Sequence, residues 1–301
     1  MKKYSTFLNN ISGDKKLNLL EKIYWLAVSF INILFPNNSV DKRIKIINFN
    51  IKKDAPTEES KTNSPSRFLS DCFWHSFPWT RLKNEIGEKI NAIEIGCGTG
   101  KYGIFLQGLL GDNLNSYLGL DIKENADWKI SSESSKINFV IDNSYNATKY
   151  LEGKNLIFTQ SSIEHFKEDI LFFQNLSKYL SRQKEQTIQI HLMPSSFCLF
   201  TYLFHGYRHY NLRLVSKITE VFNNDFKFTL FNMGSANANM HHLKNITIPK
   251  ILNKKEGRHV NSDKYFELMK QAIKLDQKSP KKNNVSFYAL VIAHNFDKDF
   301  F

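Results

Sequence analysis

The chain has 301 residues, 42% of them hydrophobic, which excludes a disordered chain and allows a full α/β core. Its 41 basic and 29 acidic residues give a formal net charge of +12, which suits either an acidic partner or a solvated basic surface. Its three cysteines lack metal-type spacing, which excludes a disulfide scaffold, leaves no metal site to expect and indicates a cytoplasmic protein.

The most apolar segment, residues 23–35 (IYWLAVSFINILF), is too short to cross a bilayer, which takes about 20 residues. Apolar residues recur at helical spacing across residues 20–35 and predict a helix. Two placements stay open. The helix packs on the core, or it lies on the inner face of the membrane as a peripheral contact.

A strand-like segment, RIKIINFNI, follows this helix, and a polar stretch with two prolines, DAPTEESKTNSPS (residues 54–66), predicts a linker. The change in composition divides the chain into two parts. Residues 1–66 are predicted to form an accessory region and linker, and residues 67–301 the main domain.

Strand and helix patterns alternate within the main domain. Helices are predicted from residue 104 to 110 and over residues 163–180. The predicted strands are AIEIG, SYLGLDI, INFVID, NLIFTQ, TIQIHLMP, FKFTLFNMG and SFYALVIAH. This alternation predicts a Rossmann-like α/β fold: a seven-stranded, mostly parallel sheet with helices on both faces, plus an N-terminal helical extension. Ligands of such sheets bind beyond the carboxyl ends of the strands.

A glycine-rich turn, IEIGCGTGKYG (residues 93–103), follows the first of these strands. A P-loop needs a hydroxyl residue where Tyr102 stands and a first glycine where Ile95 stands, so that motif is absent. A dinucleotide fingerprint needs a third glycine where Lys101 stands, so that match is weak.

An acid inside the strand, Glu94, disfavours a phosphate ligand and favours a cationic one. S-adenosylmethionine carries a sulfonium and an ammonium group and no phosphate, so Glu94 would be its counter-charge. Close backbone approach to the ligand would fall to Gly96, Gly98 and Gly100.

Further polar residues end the following strands. Asp121 is placed to accept from both ribose hydroxyls, as the corresponding acid does in dinucleotide folds. Asp142 is expected to accept from the adenine amino group, and Gln160 completes the predicted cofactor-binding set. Buried acids at strand ends are costly without partners, so three together indicate a ligand.

The segments IEIGCGTG, YLGLDI, FVIDN and NLIFTQSSIEHF resemble the class I S-adenosylmethionine-dependent methyltransferases. The resemblance spans roughly residues 91–192 and implies S-adenosylmethionine as cofactor and methyl transfer as activity. Many relatives open the fourth strand with Asp where this chain has Asn155, a position that is usually structural.

The loop after the fourth strand, TQSSIEHF, bears on the acceptor. It lacks the Pro-Pro pair of nucleic-acid amino methyltransferases and the Pro-Cys nucleophile of cytosine-5 enzymes, so nucleic acid is disfavoured. It resembles the small-molecule branch of the fold. Ser162 is expected to cap the next helix, and His165 is a candidate base.

The segment HGYRHYNLR (residues 205–213) lies in a predicted substrate-binding insertion, about residues 194–224. It resembles an HG…DY.R element of methyltransferases from bacterial surface-polysaccharide gene clusters, with His209 where those relatives have Asp. The resemblance implies O-methylation of a sugar hydroxyl on a small-molecule or glycan acceptor. The arginines of the segment suit an acceptor that carries an anionic group. The predicted acceptor-binding residues are Tyr207, Arg208, Tyr210 and Arg213. The candidate bases, in order, are His205, His209 and His165.

Alternatives remain for several of these predictions. The 205–213 segment would also suit an exposed basic turn, and the aromatic run CFWHSFPW (residues 72–79) would suit core packing as well as a cover over the pocket. An RNA methyltransferase and a non-catalytic S-adenosylmethionine-binding module are the rival functions.

Overall fold

The computed structural model describes residues 5–6, 9–35, 40–51, 60–132, 134–279 and 284–301. Its centre is an eight-stranded mixed sheet in the order β1-β7-β8-β6-β5-β2-β3-β4. The strands are β1 (Ile44–Asn48), β2 (Ile90–Ile95), β3 (Leu114–Asp121), β4 (Ile137–Ile141), β5 (Leu156–Gln160), β6 (Thr187–Pro194), β7 (Phe226–Met233) and β8 (Phe287–His294).

The seven strands predicted from the sequence all form, but the predicted count of seven was wrong. The eighth strand is β1, which belongs to the N-terminal region and pairs in parallel with β7, as in the pair Ile46 and Leu230. Its pairing covers an edge of β7 that would otherwise be open. β8 runs antiparallel to both of its neighbours, β6 and β7.

Helices cover both faces of the sheet. They are α1 (Leu19–Leu34), α2 (Pro65–Ser76), α3 (Trp79–Ile86), α4 (Lys101–Leu110), α5 (Trp128–Ser131), α6 (Asp169–Leu180), α7 (Leu212–Thr219), α8 (Ala236–His242), α9 (Ile248–Ile251), α10 (Gly257–Val260) and α11 (Ser262–Lys278). Side chains of α2, α4 and α11 share one apolar cluster with the sheet, and side chains of α6 and α7 share another. No helix in the described part of the chain is long and apolar enough to cross a membrane.

The helix predicted over residues 163–180 is broken. A single 3₁₀ turn, Ile163–His165, is separated from α6 by an extended residue, Phe166. The predicted capping role of Ser162 was wrong, because its hydroxyl donates to the carbonyl of Ile95 at 2.8 Å. Residues 164 and 165 therefore lie on a short turn beyond the sheet and not inside a long helix.

The chain order places the switch point of the sheet between β2 and β5, because β3 and β4 add on one side of β2 and β5 and β6 on the other. Ligands of open α/β sheets bind at such a point, beyond the carboxyl ends of the strands. Those ends are Gly96, after β2, and Ser161, after β5.

The N-terminal region packs on the 205–213 segment. The backbone N–H of Gly13 donates to the carbonyl of Gly206 at 2.7 Å. The Asn9 side chain donates to the carbonyl of Tyr207 at 2.7 Å. The N-terminal region therefore contacts the main domain in two places: β1 pairs with β7, and Asn9 and Gly13 bond to the 205–213 segment. Residues 54–59 of the predicted linker lie outside the described residues.

Candidate active site

The glycine turn after β2 takes left-handed backbone angles, with φ of 77° at Gly96, 53° at Gly98 and 75° at Gly100. A Cβ at Gly96 would lie 2.5 Å from the Cβ of Ser162, so the turn is packed against the loop after β5. A Cβ at Gly98 would meet nothing within 4 Å. The backbone at Gly98 is thus open to close approach by a ligand.

Asp121, at the end of β3, is anchored to this turn. One carboxylate oxygen accepts the Gly98 N–H and the other accepts the Ile122 N–H, both at 2.7 Å. Each oxygen keeps a free lone pair, so the carboxylate can still accept from two hydroxyls. The side chain of Ile122 beside it is 68% exposed, which offers an apolar surface for a flat base. Sequence analysis did not select Ile122.

The carboxylate of Asp142, at the end of β4, already accepts hydrogen bonds from the loop that follows the strand. It accepts from the Asn146 side chain, the Asn143 N–H and the Tyr150 hydroxyl, and these hydrogen bonds lower its pKa to about 2. Its predicted contact with adenine stays a prediction, and the lone pairs that remain for it are fewer than at Asp121.

Glu94 is buried within β2 and accepts a hydrogen bond from the hydroxyl of Tyr117. Burial raises its pKa to about 8, against the lowering effects of Tyr117 and of the Arg67 guanidinium. The group is therefore protonated near neutral pH, and a bound cation would favour its ionised form. Arg67 itself donates to the hydroxyl of Tyr102 at 2.8 Å.

Gln160, the last residue of β5, has one paired and one unpaired end. Its carbonyl oxygen accepts from the indole N–H of Trp74 at 3.1 Å. Its buried Nε2 has no hydrogen-bond partner among the described residues, so a ligand oxygen would satisfy it. Trp74 also stacks on Trp79, with ring centroids 5.9 Å apart, and belongs to the apolar core. The aromatic run at residues 72–79 therefore packs largely in the core, and its Trp74 contacts the site residue Gln160.

A cavity of about 410 Å³ opens beyond the carboxyl ends of β5 and β6, next to this edge. Its size suits a small-molecule ligand. Its wall includes Ser66, Arg67, Ser161, Glu164, Tyr202 and His205. Ser161, which lines the cavity, holds a left-handed backbone angle with φ of 52°, and such strained non-glycine residues cluster at ligand sites.

Two predicted acceptor-binding residues, Arg208 and Tyr210, are fully buried instead. The Arg208 guanidinium pairs with the Asp169 carboxylate at 2.9 Å, and neither side chain has any exposure. It also donates to the carbonyls of Phe166 and Lys167. The Tyr210 hydroxyl donates to the same Asp169 carboxylate at 2.9 Å. Neither residue lines the cavity, so their burial gives no support to the predicted contact with an acceptor, which stays a prediction.

Other residues of the 205–213 segment pack against α1 or against Arg208. His209 is buried against the edge of Trp25, burial lowers its pKa to about 3, and neither ring nitrogen has a described partner. Its burial gives no support to the predicted role as a base, which stays a prediction. Arg213 donates to the Asn32 side chain at 3.2 Å, and Tyr207 lies 5.7 Å below the Arg208 guanidinium.

His165 and His205 meet at Asp14, a residue that sequence analysis missed. His165 Nδ1 lies 2.7 Å from one Asp14 oxygen, and His205 Nδ1 lies 3.5 Å from the other. Burial lowers the pKa of His205, but Asp14 and Glu164 outweigh it and raise the pKa to about 9. With a proton at neutral pH, His205 is a hydrogen-bond donor rather than the base that was predicted.

No protein-family model matches the sequence, and no curated protein matches it. Several solved structures are similar at low sequence identity. A putative sarcosine dimethylglycine methyltransferase from Galdieria sulphuraria is 12% identical, with a TM-score of 0.48, over 81% of this chain and 93% of that one. An S-adenosylmethionine-dependent methyltransferase from Archaeoglobus fulgidus is 17% identical, with a TM-score of 0.42, over 78% and 97%. The [4+2]-cyclase SpnF is 10% identical, with a TM-score of 0.45, over 91% and 94%.

All three similarities are too distant to bear on activity, and a shared fold does not determine function. The chemistry of this chain therefore has to be argued from the residues at the carboxyl edge of its own sheet.

Proposed function

We propose that the chain is an S-adenosylmethionine-dependent methyltransferase. The observation that carries the proposal is the anchoring of the Asp121 carboxylate on the Gly98 amide, at the switch point of the sheet. This arrangement joins an open glycine turn to an acid that can hold a ribose. No P-loop accompanies it, and the nearby buried acid, Glu94, favours a cationic ligand.

The residues present fit S-adenosylmethionine from one end to the other. Asp121 would hold the ribose hydroxyls, and Ile122 would cover the base. Glu94 would balance the cationic end, and the unpaired Nε2 of Gln160 would bind a ligand oxygen. The ligand carboxylate would go to Arg67, which lines the cavity and presents a planar fork of donors.

The acceptor would bind in the 410 Å³ cavity, beside the methyl group. In the transfer, an O–CH₃ bond forms and the S–CH₃ bond breaks. The electron pair of that bond goes to sulfur, and the acceptor loses its proton to a base. Alignment of the two reactants and exclusion of water supply most of the rate enhancement. Of the three predicted bases, His165 makes the shorter contact with the orienting carboxylate, 2.7 Å to Asp14, and its side chain is partly exposed.

The acceptor we propose is a small molecule with a sugar-like hydroxyl. Hydroxyl groups of Ser66 and Tyr202 and the guanidinium of Arg258 line the cavity, and such groups suit a polyhydroxyl compound with an anionic substituent. The link to surface-polysaccharide synthesis rests on the short resemblance of the 205–213 segment. Because most of that segment is buried, its structure supports the link to polysaccharide synthesis less strongly than its composition alone does.

Transfer of labelled methyl groups tests the acceptor class. We expect label from S-adenosylmethionine to appear in a sugar when free and nucleotide-linked monosaccharides are offered beside total RNA. The size of the cavity is the physical reason, because about 410 Å³ accommodates a monosaccharide and not a folded RNA. Label in RNA alone would establish the RNA methyltransferase. Tight cofactor binding with no label in any acceptor would favour the non-catalytic module.

We also propose that α1 lies on an anionic membrane surface. The helix turns Trp25, Ser29 and Asn32 inward and leaves its apolar residues outward. The outward residues, each at least 43% exposed, are Leu19, Leu20, Ile23, Tyr24, Phe30, Ile31 and Leu34. The inner face is mixed, with buried Ser29 and Asn32 beside Trp25, while the outer face is apolar, and an ordinary surface helix has a polar outer face. The net charge of +12 complements an anionic lipid surface.

Serine at Leu20, Ile23 and Phe30 should abolish co-sedimentation with phosphatidylglycerol vesicles, because it removes apolar area that enters the interface. A matched triple change on exposed apolar positions elsewhere, Val260→Ser, Leu268→Ser and Leu275→Ser, should leave co-sedimentation unchanged. If the wild-type chain stays in the supernatant, or forms a dimer that the α1 variant dissociates, the lipid assignment is wrong.

A further inference from the structure

Three distant parts of the chain bring metal-ligating side chains together beside the cavity. One ligand atom from each of Asp14, His165 and His205 lies within 4.8 Å of the other two. Asp14 precedes α1, His165 ends the turn after β5, and His205 begins the 205–213 segment. Two imidazoles and one carboxylate are a donor set that divalent transition metals favour.

A fourth group, Glu164, lies beside the two histidines and has one carboxylate oxygen without a hydrogen-bond partner among the described residues. Its Oε1 lies 3.7 Å from His205 Nε2 and 4.0 Å from His165 Nε2, which is too long for a hydrogen bond. Its Oε2 is buried and has no hydrogen-bond partner among the described residues. An unpartnered carboxylate oxygen in a residue only 1% exposed is costly unless a cation or a donor completes it.

We propose that Asp14, His165 and His205 bind one divalent transition-metal ion, with Glu164 beside the Nε2 atoms as a second carboxylate that orients the two histidines. Mixed nitrogen and carboxylate donors suit Mn²⁺, Fe²⁺, Co²⁺ or Zn²⁺ better than Mg²⁺ or Ca²⁺, which prefer oxygen donors alone. Small side-chain movements bring the ligands in, because the two histidines lie on short segments whose carboxylate partners already orient them.

A role for the ion rests on the proposed function. Glu164 and His205 line the 410 Å³ cavity, so an open position of the ion would face the acceptor. A bound metal makes a coordinated hydroxyl more acidic. The acceptor hydroxyl would release its proton to water, and the resulting oxyanion would displace the methyl group while the S–C electron pair stays on sulfur. The ion would then replace a histidine base at this site.

Manganese binding tests the site without any acceptor. The full chain, stripped with a chelator and titrated with MnCl₂, should bind one equivalent of Mn²⁺, observed by electron paramagnetic resonance. His165→Ala and His205→Ala should each weaken the affinity more than about tenfold, as lost ligands and ligand partners do. His259→Ala removes an exposed histidine outside the cluster and should change nothing.

The conservative change Glu164→Gln keeps the shape of the cluster and should also weaken Mn²⁺ binding about tenfold, with unfolding midpoint unchanged. Equal affinity in wild-type and all four variants, or no saturable binding, overturns the metal site and leaves a hydrogen-bonded cluster of histidines and carboxylates. S-adenosylhomocysteine binding is measured on the same samples. Cofactor binding without manganese binding contradicts the metal site alone, and the reverse contradicts the proposed function alone.

Discussion

Arg208→Met is expected to destabilise the protein by about 3–5 kcal/mol, because it leaves the Asp169 carboxylate buried without its charge partner. The two groups lie 2.9 Å apart with no exposure of either side chain. Asp169 also accepts from the backbone and hydroxyl of Thr6, so the same charge fixes the N-terminal region. Denaturant unfolding, read as the free energy of unfolding, measures the loss.

Two variants distinguish this effect from a general loss of surface charge. Arg182→Met removes an exposed arginine that has no described partner and should shift stability by less than about 0.5 kcal/mol. Adding Asp169→Asn to Arg208→Met should recover part of the loss, because it removes the uncompensated charge. If Arg208→Met is as stable as the wild type and instead raises the acceptor KM, Arg208 binds the acceptor after all.

Asp121→Ala is expected to weaken S-adenosylhomocysteine binding by about 1.5–3 kcal/mol, which is roughly 10- to 150-fold in Kd. The reason is the loss of a charged acceptor for the two ribose hydroxyls, which the cofactor and its demethylated product share. Asp121 also anchors the glycine turn through the Gly98 amide, and its removal loosens that turn. Isothermal titration calorimetry measures the ratio of the two dissociation constants.

Glu124→Ala is the matched control, because Glu124 is an exposed acid three residues away in the loop after β3. It changes the net charge equally and should leave Kd unchanged. A loss of affinity shared by both variants would indicate long-range electrostatics rather than a ribose contact.

Most of the sheet could be predicted because its strands are local patterns. Seven short apolar runs separated by turn residues locate β2 to β8, and the glycine turn locates the edge where ligands bind. β1 was recognised as strand-like but was assigned to an accessory region, since composition does not show that it pairs with β7. The break after His165 was missed because apolar spacing continues across it, while Ser162 turns its hydroxyl to β2.

The acceptor site was the part that sequence could not locate. The 205–213 segment has the composition of a ligand-binding loop. Its polar groups instead form a buried ion pair with Asp169 and hydrogen bonds to α1. Burial depends on partners far away in sequence: Asp169 for Arg208, and Asn32 for Arg213. Asp14 was missed for the same reason, because it stands 151 residues before His165 and no local motif marks it.

Calorimetry of S-adenosylhomocysteine against the wild-type chain tests the cofactor assignment most directly, with NAD and ATP titrated into the same protein. We expect micromolar affinity, about 8 kcal/mol, for S-adenosylhomocysteine and weaker binding of the two phosphate-bearing nucleotides. The glycine turn offers no P-loop, and a bound cation would favour the ionised form of Glu94, whereas a phosphate would not. Tighter binding of NAD or ATP, or no binding of S-adenosylhomocysteine, would contradict the methyltransferase function.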